Sequence, residues 1–182
     1  ASSDEMVQLM QSGEYDGVSA SGDATQRLMA GGEVVALDLA EFSSYDDIFE
    51  GLKNKPWNSK DGEAFGIPHG RGANLLFYNT EAFPTPPDSW SVVWEAGSPA
   101  EGTASIYDSP IYIADAAVWL MATQPELGIT NPYALDETQF AAVMELLGQQ
   151  KALVGQYWSD YTVQAAALVD GTVLVGTTWQ VV

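Results

Sequence analysis

Short apolar segments with strand-like composition alternate with helical segments along this chain, and this alternation constrains the fold more than any other feature. Helices are predicted at 6–10, 23–30, 111–122, 137–147 and 161–169, with a helical turn at 89–94. Strands are predicted at 15–20, 34–37, 64–68, 74–78, 103–107 and 172–177. Strands separated by helices indicate an α/β fold with mainly parallel sheets flanked by helices.

The charge of the chain limits its partners. Six Lys and Arg residues stand against 25 Asp and Glu residues, which gives a formal net charge of -19. Such a surface repels nucleic acid, whose binding usually requires a basic patch, and it attracts cations. The acidity is equally consistent with high solubility or with a salty environment, so it does not by itself identify a ligand.

The motifs of the common enzyme classes do not occur in the sequence. The chain has no Cys and one His, His69, which excludes thiolate sites, cysteine nucleophiles and His-rich metal centres. No P-loop, G-x-G-x-x-G or G-x-S-x-G pattern is found. The stretch His69-Gly70-Arg71-Gly72 is faintly similar to the oxyanion loop of esterases, so an α/β hydrolase stays open as an alternative of a different class. We predict a protein that is not an enzyme and requires no cofactor and no metal.

Three loops after predicted strands carry polar or aromatic residues suited to a ligand. Ligands in open α/β sheets bind beyond the carboxyl ends of the strands, where small residues and helix N-termini let them approach the backbone. A carboxylate there can pair with an ammonium group, and an aromatic face attracts a cation. Helix capping, turn formation and core packing are the competing explanations. The candidates are Ser21, Gly22 and Asp23 in the first loop, Asp108 and Ser109 in the second, and Trp179 in the third.

A break in the chain is predicted near Gly72, where two glycines flank Arg71. His69 and Arg71 are therefore expected at a hinge, in reach of a ligand. His69 is expected to form hydrogen bonds there. Arg71 is expected to pair with an acidic residue of the cleft, and an anion-binding role for it stays open as the alternative. No apolar run approaches the ~20 residues needed to span a bilayer, and no basic and apolar leader opens the chain. The sequence begins on a helix and stops just after a strand, so we expect the natural protein to extend beyond both ends.

Five segments in this order resemble the spermidine/putrescine-type solute-binding proteins of ABC transporters. They are YDGVSASGDAT at 15–25, FGIPHGRGAN at 65–74, PPDSWSVVW at 86–94, YDSP at 107–110 and VGTTW at 175–179. None of them is specific alone, but the ordered set extends over nearly all of the 182 residues.

The resemblance implies a two-lobed periplasmic-binding-protein fold that closes on its ligand by a hinge. Residues 1–72 would form part of an incomplete first lobe, and residues 73–182 the core of the second. By position, Asp108 would match a carboxylate that binds a substrate amine and Trp179 an aromatic wall. Ser159 would match a polar contact from the second lobe.

The function implied by the resemblance is that of a binding subunit of an ABC importer. It would capture a small cationic solute, a polyamine such as putrescine or spermidine, and deliver it to a membrane permease. It would be a monomer outside the cytoplasm, periplasmic or anchored at the cell surface, with a signal peptide that is not in this chain. Spermidine binders of the family usually carry an aromatic residue where this chain has Gly22 and Asp23. A protein for another organic solute or for a metal complex is therefore the alternative within the same class.

Overall fold

The computed structural model describes residues 2–182, which form two compact units. The first unit ends at Arg71, and the second comprises Gly72–Val182. The α/β class is confirmed, since helices flank a four-stranded sheet. None of the helices within residues 2–182 combines the length and the apolar character that crossing a bilayer requires.

The first unit is mostly helical and irregular. Ser2 begins its first helix by accepting a hydrogen bond from the backbone N–H of Glu5 at 3.2 Å, a typical N-cap. Gly32 ends the second helix in the left-handed region at φ 68°, which glycine adopts without strain. The elements are α1 (Ser3–Gln11), α2 (Gly22–Gly31), 3-10 turns at Leu39–Glu41 and Glu50–Leu52, and the antiparallel pair β1 (Ser59–Lys60) and β2 (Glu63–Ala64).

Two strands predicted in this unit are wrong. The segment 15–20 is irregular, and 34–37 contributes only an isolated bridge to Ala64. A strand needs a neighbour to satisfy its backbone N–H and C=O groups, and within residues 2–182 no strand lies beside 15–20. The apolar side chains of Val18 and Val34 pack instead against the small cluster that α1 and α2 bury between them.

The second unit is built around a mixed sheet in the order β3-β6-β4-β5. Strand β4 runs parallel to β5 and β6, whereas β3 is antiparallel to β6. The carboxyl ends of β4, β5 and β6 therefore meet at one edge of the sheet. The elements are β3 (Leu75–Tyr78), α3 (Ser91–Trp94), β4 (Ala104–Tyr107), α4 (Ile111–Thr123), a 3-10 turn (Pro125–Leu127), α5 (Glu137–Gln150), β5 (Val154–Trp158), α6 (Tyr161–Val169) and β6 (Val175–Thr178).

The core of the second unit joins the sheet to the apolar helix α4. Tyr112, Ala116 and Leu120 of α4 belong to one cluster with Ile106 of β4 and Val175 of β6. Burial of apolar surface stabilises by roughly 25 cal/mol per Å², and all five side chains are at most 4% exposed. This packing makes the central strands a rigid base for the loops that follow them.

Helix α5 does not end at Gly148, contrary to the prediction, but continues to Gln150. The Gln150 amide donates to the carbonyl oxygen of Val93 at 2.7 Å and to the Tyr112 hydroxyl at 2.8 Å. These buried bonds hold the last turn of the helix against α3 and α4. A glycine can remain helical at a modest cost, so it ends a helix only where no contact extends it.

Other predicted bounds differ by smaller amounts. Helix α6 is confirmed at its predicted bounds, 161–169. The strand predicted at 172–177 begins at Val175, and the one predicted at 64–68 pairs only at its first residue, Ala64. Asp170 and Gly171 stay in the turn before β6, where the Asp170 carboxylate accepts from the backbone N–H of Thr172 at 2.8 Å.

Candidate ligand-binding site

The three parallel strands deliver the second-unit candidates to a common edge of the sheet. In the parallel register Tyr107, the last residue of β4, lies opposite Trp158, the last residue of β5. Parallel strands in register end side by side, so the loops that follow them are neighbours. The candidates that directly follow the three strands are Asp108 and Ser109, Ser159, and Trp179.

An aromatic cluster, defined by Tyr107, Trp158 and Trp179, covers this edge. The ring centroids of Tyr107 and Trp158 lie 4.6 Å apart. Trp179 meets both of them edge-on, with centroid distances of 5.0 Å. Trp158 is only 2% exposed and Trp179 is partly exposed, so the cluster has a buried base and an accessible rim. Such edge-to-face contacts hold aromatic rings in fixed orientations.

Asp108 brings an uncompensated negative charge to the same edge. Its side chain is exposed, and among residues 2–182 no basic nitrogen forms an ion pair with it. The neighbouring Tyr157 is affected: desolvation raises the pKa of its phenol, and the charge of Asp108 raises it further. The edge therefore presents a carboxylate beside a phenol that stays neutral.

A pocket of about 220 Å³ opens beside Asp108, between α4 and α5. Ser109 and Tyr157 contribute polar lining, and Met144 contributes apolar lining. The Lys151 side chain also lines this pocket, yet it forms no ion pair with Asp108 in the described part of the chain. The carboxylate is thus open to a mobile cation.

In the loop after β5, Asp160 has a structural role and Ser159 is the candidate binding residue. Asp160 caps α6, since its carboxylate accepts from the Thr162 backbone N–H at 2.8 Å and from the Thr162 hydroxyl at 2.6 Å. These two bonds lower the pKa of Asp160. Ser159 precedes it and is exposed, so its hydroxyl is accessible from solvent.

In the first unit, the candidates Ser21 and Asp23 are hydrogen-bonded to each other. The Ser21 hydroxyl donates to the Asp23 carboxylate at 2.5 Å, and Asp23 pairs with Arg27 at 3.5 Å. Gly22 lies directly under Trp57, because an added Cβ would come within 2.8 Å of the Trp57 Cβ. This geometry explains these residue types by helix start and packing alone. The assignment of Ser21, Gly22 and Asp23 to a ligand stays a prediction.

The predicted hinge residues line a separate feature of the first unit. His69 Nε2 lies 3.1 Å from the Ser19 hydroxyl. His69 and Arg71 border an open pocket of about 1110 Å³ that also has the aromatic side chains Phe42 and Phe49 in its wall. None of the ion pairs in the described part of the chain includes Arg71, so the ion pair expected of this residue is not found there. A hinge role for His69 and Arg71 stays a prediction.

Residues 2–182 contain no group of three or more His, Asp or Glu side chains arranged to hold a metal ion.

The sequence analysis missed one functional candidate, Gln164, a fully buried amide on α6. Its signal was present in the sequence, since it is the one uncharged amide inside an otherwise apolar stretch from Val163 to Val169.

No protein-family model matches the sequence, whereas several solved structures match the fold. The substrate-binding protein PotD of a spermidine/putrescine ABC transporter from Streptococcus pneumoniae, solved with calcium and HEPES, aligns with a TM-score of 0.64 and 17% identity, over 98% of this chain and 52% of that one. A protein from Listeria monocytogenes assigned as a spermidine/putrescine ABC transporter gives 0.68 and 15%, over 98% and 52%. An ABC transporter protein from Clostridium perfringens gives 0.63 and 13%, over 98% and 53%.

These matches cover nearly all of this chain, and the chain spans about half the length of each solved protein. Their sequence identities are low, so the likeness establishes the fold. The family resemblance read from the five sequence segments is thereby confirmed at the level of fold. This chain has the fold of the substrate-binding proteins of spermidine/putrescine ABC transporters, over about half of their length.

Proposed function

We propose that this chain is part of the substrate-binding subunit of an ABC importer and that it captures a small organic cation. Polyamines such as putrescine and spermidine are the first candidates. One observation carries the proposal: the exposed carboxylate of Asp108, without an ion-pair partner in residues 2–182, lies at the sheet edge that the aromatic cluster covers.

The chemistry of this edge suits an alkylammonium ion. An ammonium group donates charge-assisted hydrogen bonds to a carboxylate, which are stronger than bonds between neutral groups. The accessible rim of Trp179 offers an aromatic surface for the methylene chain and for cation–π attraction. Tyr157, whose phenol stays neutral because its pKa is raised, adds a hydroxyl that can accept from the same ammonium group.

The charge of the whole chain supports the same ligand class. A net charge of -19 produces a negative potential that raises the local concentration of cations and their rate of encounter. Because salt screens this long-range attraction over roughly 8–10 Å at physiological ionic strength, the association rate should fall as salt is added. Direct contacts at Asp108 would be less sensitive.

The proposed partners follow from the fold. Solved proteins with this fold are named as components of ABC transporters. We infer that the complete protein works outside the cytoplasm as a monomer and hands its solute to a membrane permease. The proposal involves no nucleic acid, no cofactor and no catalytic step.

Another organic solute, or a metal complex, is the alternative within the same class. The hydrolase alternative has one observation in its favour, the 3.1 Å contact between the Ser19 hydroxyl and His69 Nε2. A catalytic base needs a third group to orient it. In the described part of the chain no carboxylate pairs with His69. Hydrolysis of an activated ester that is lost on Ser19→Ala would favour this alternative.

Calorimetric titration of the complete protein tests the proposal. The probes are putrescine, spermidine and a neutral diol of the same length as putrescine. We expect binding of at least one amine and none of the diol, because only the amine carries charge to Asp108. A bound ligand also stabilises the native state, so the amines should raise the melting temperature. Failure of both amines to bind would refute a polyamine receptor.

A further inference from the structure

We propose that Gln164 is a positioning residue that fixes the orientation of the Tyr107 and Trp179 side chains at the candidate site. The expected effect of Gln164 on ligand affinity rests on the proposed function. Its structural part concerns only residues within the second unit.

Gln164 lies on α6 and is fully buried, with 0% exposure. Its amide nitrogen donates to the carbonyl oxygen of Thr177 at 2.6 Å and to the hydroxyl of Ser105 at 3.1 Å. Its amide oxygen accepts from the Thr178 hydroxyl at 2.9 Å. Both N–H groups and the oxygen are used, so only one orientation of the amide satisfies this network. One side chain therefore ties α6 to β4 and to the end of β6.

The network begins where the backbone pairing of β4 and β6 ends. The two strands pair at Ala104 with Val175 and at Ser105 with Gly176, and no further. Beyond that point the N–H of Tyr107 donates to the hydroxyl of Thr177 at 3.1 Å instead of to a backbone carbonyl. Side-chain bonds thus join β4 to β6 beyond this point, while the last residues of β6 and β4 also pair with β3 and β5 on their other sides.

The strand end held in this way is the one that carries the aromatic cluster. Tyr107 ends β4, and Trp179 directly follows Thr178, whose hydroxyl is bound by Gln164. The rings of Tyr107 and Trp179 meet at 5.0 Å and 69°. Loss of the amide would leave the Thr177 carbonyl and the Thr178 hydroxyl without this partner in a buried place, which favours a shift of the strand end.

The chain provides a matched control in Gln150, a second amide that is only 1% exposed. It donates to the Val93 carbonyl oxygen and to the Tyr112 hydroxyl, so it joins helices and not strand ends. Tyr112 stacks on Trp94 at 5.3 Å and has no ring contact with Trp179 in the described part of the chain. Both glutamines stabilise the unit, but only Gln164 is bonded to residues next to Trp179.

The test compares Gln164→Met with Gln150→Met in the complete protein labelled with fluorotryptophan. The fluorine NMR signals of the six Trp residues in this chain are assigned with single Trp→Phe variants. We expect Gln164→Met to move the Trp179 signal and to weaken putrescine or spermidine binding at least tenfold. Gln150→Met should lower the melting temperature by a similar amount but leave the Trp179 signal unchanged. Its amine affinity is not part of the control, because Gln150 lines the pocket beside Asp108.

Thr178→Val is a milder second variant, because it removes one hydroxyl donor to Gln164 and keeps the β-branched shape. It should move the Trp179 signal in the same direction and carries the test if Gln164→Met does not fold. An unmoved Trp179 signal in the variants, or an unchanged amine affinity despite a moved signal, would overturn the inference. If the unmodified protein binds neither amine, the proposed function fails, and the NMR signals alone decide the positioning role.

Discussion

The backbone N–H of Asp108 donates to the carbonyl oxygen of Trp158 at 2.8 Å. This bond extends the parallel pairing of β4 and β5 by one residue, so the main chain of Asp108 is fixed while its side chain remains exposed. Because the main chain at Asp108 is already ordered, binding of a ligand need not order this part of the loop, which favours affinity. The same bond brings Asp108 next to the aromatic cluster, although 50 positions separate the two residues in the sequence.

Replacing Trp179 by Leu should weaken amine binding without unfolding the protein. Leucine keeps an apolar side chain but offers no aromatic face, and cation–π attraction contributes roughly 0.5–2 kcal/mol. We expect a loss of affinity for putrescine of about 2- to 30-fold by calorimetry. Trp119→Leu, on α4, is the control, because Trp119 packs on the core and is not in the aromatic cluster. Equal effects of the two substitutions would argue against a ligand role for Trp179.

Gly176→Ala should destabilise the second unit. An added Cβ would overlap the carbonyl oxygen of Ser105, since β4 and β6 approach each other closely at this point. Overpacking of this kind costs typically 1–3 kcal/mol. Gly148→Ala is the opposite case, because no atom lies within 4 Å of a Cβ there. Gly148 lies in the last turn of α5, so Ala there should add up to about 0.5–1 kcal/mol, the difference for a helix interior. Urea unfolding of both variants measures these changes, and a neutral Gly176→Ala would contradict the observed strand contact.

Asp115 should make the second unit less stable as the pH rises. Desolvation raises the pKa of this carboxyl on α4 to about 6, although Asn74 opposes the shift by donating to both carboxylate oxygens, at 3.1 and 3.3 Å. The pKa in the unfolded chain is about 3.9. The native state therefore holds the proton more tightly between roughly pH 4 and 6, and the free energy of unfolding falls as the pH rises through that range.

Asp115→Asn removes this titration. Each pKa unit corresponds to about 1.4 kcal/mol, so the variant should gain on the order of 2 kcal/mol relative to the unmodified protein between about pH 4 and 7. Urea unfolding at both pH values gives the difference, and other titrating groups cancel because both proteins contain them. Parallel pH profiles of the two proteins would mean that the carboxyl is not perturbed.

The sequence predicted the second unit better than the first, because its strands are recognisable from the composition of each segment alone. Segments such as Ala104–Tyr107 are mostly apolar, buried at every position and set between helical segments, so composition and element order agree. In the first unit, 15–20 has the apolar content of a strand but no partner strand within residues 2–182. Pairing is a property of two segments, and one segment cannot reveal it.

For the candidate site too, the sequence predicted what depends on one segment and missed what depends on contacts between segments. Position after a predicted strand was enough to select Asp108 and Trp179, because parallel strands bring their ends together. Ser159 came from the family resemblance, since β5 (Val154–Trp158) was not among the predicted strands. It could not show that Trp158 forms the buried base of the aromatic cluster, since this depends on the side of the sheet to which its ring points. The role of Gln164 needs the distance to Thr178 across two elements, which no periodicity contains.

The most direct test of the account is the affinity of the Asp108→Asn variant for putrescine and spermidine, measured by calorimetry on the complete protein. The substitution preserves the shape and removes the charge. We expect affinity to fall by 10- to 100-fold, or about 1.4–2.8 kcal/mol. Asp88→Asn removes the same charge from another exposed position of the second unit and should leave affinity nearly unchanged. If the unmodified protein binds an amine and Asp108→Asn binds it equally well, a cation site at this sheet edge is contradicted.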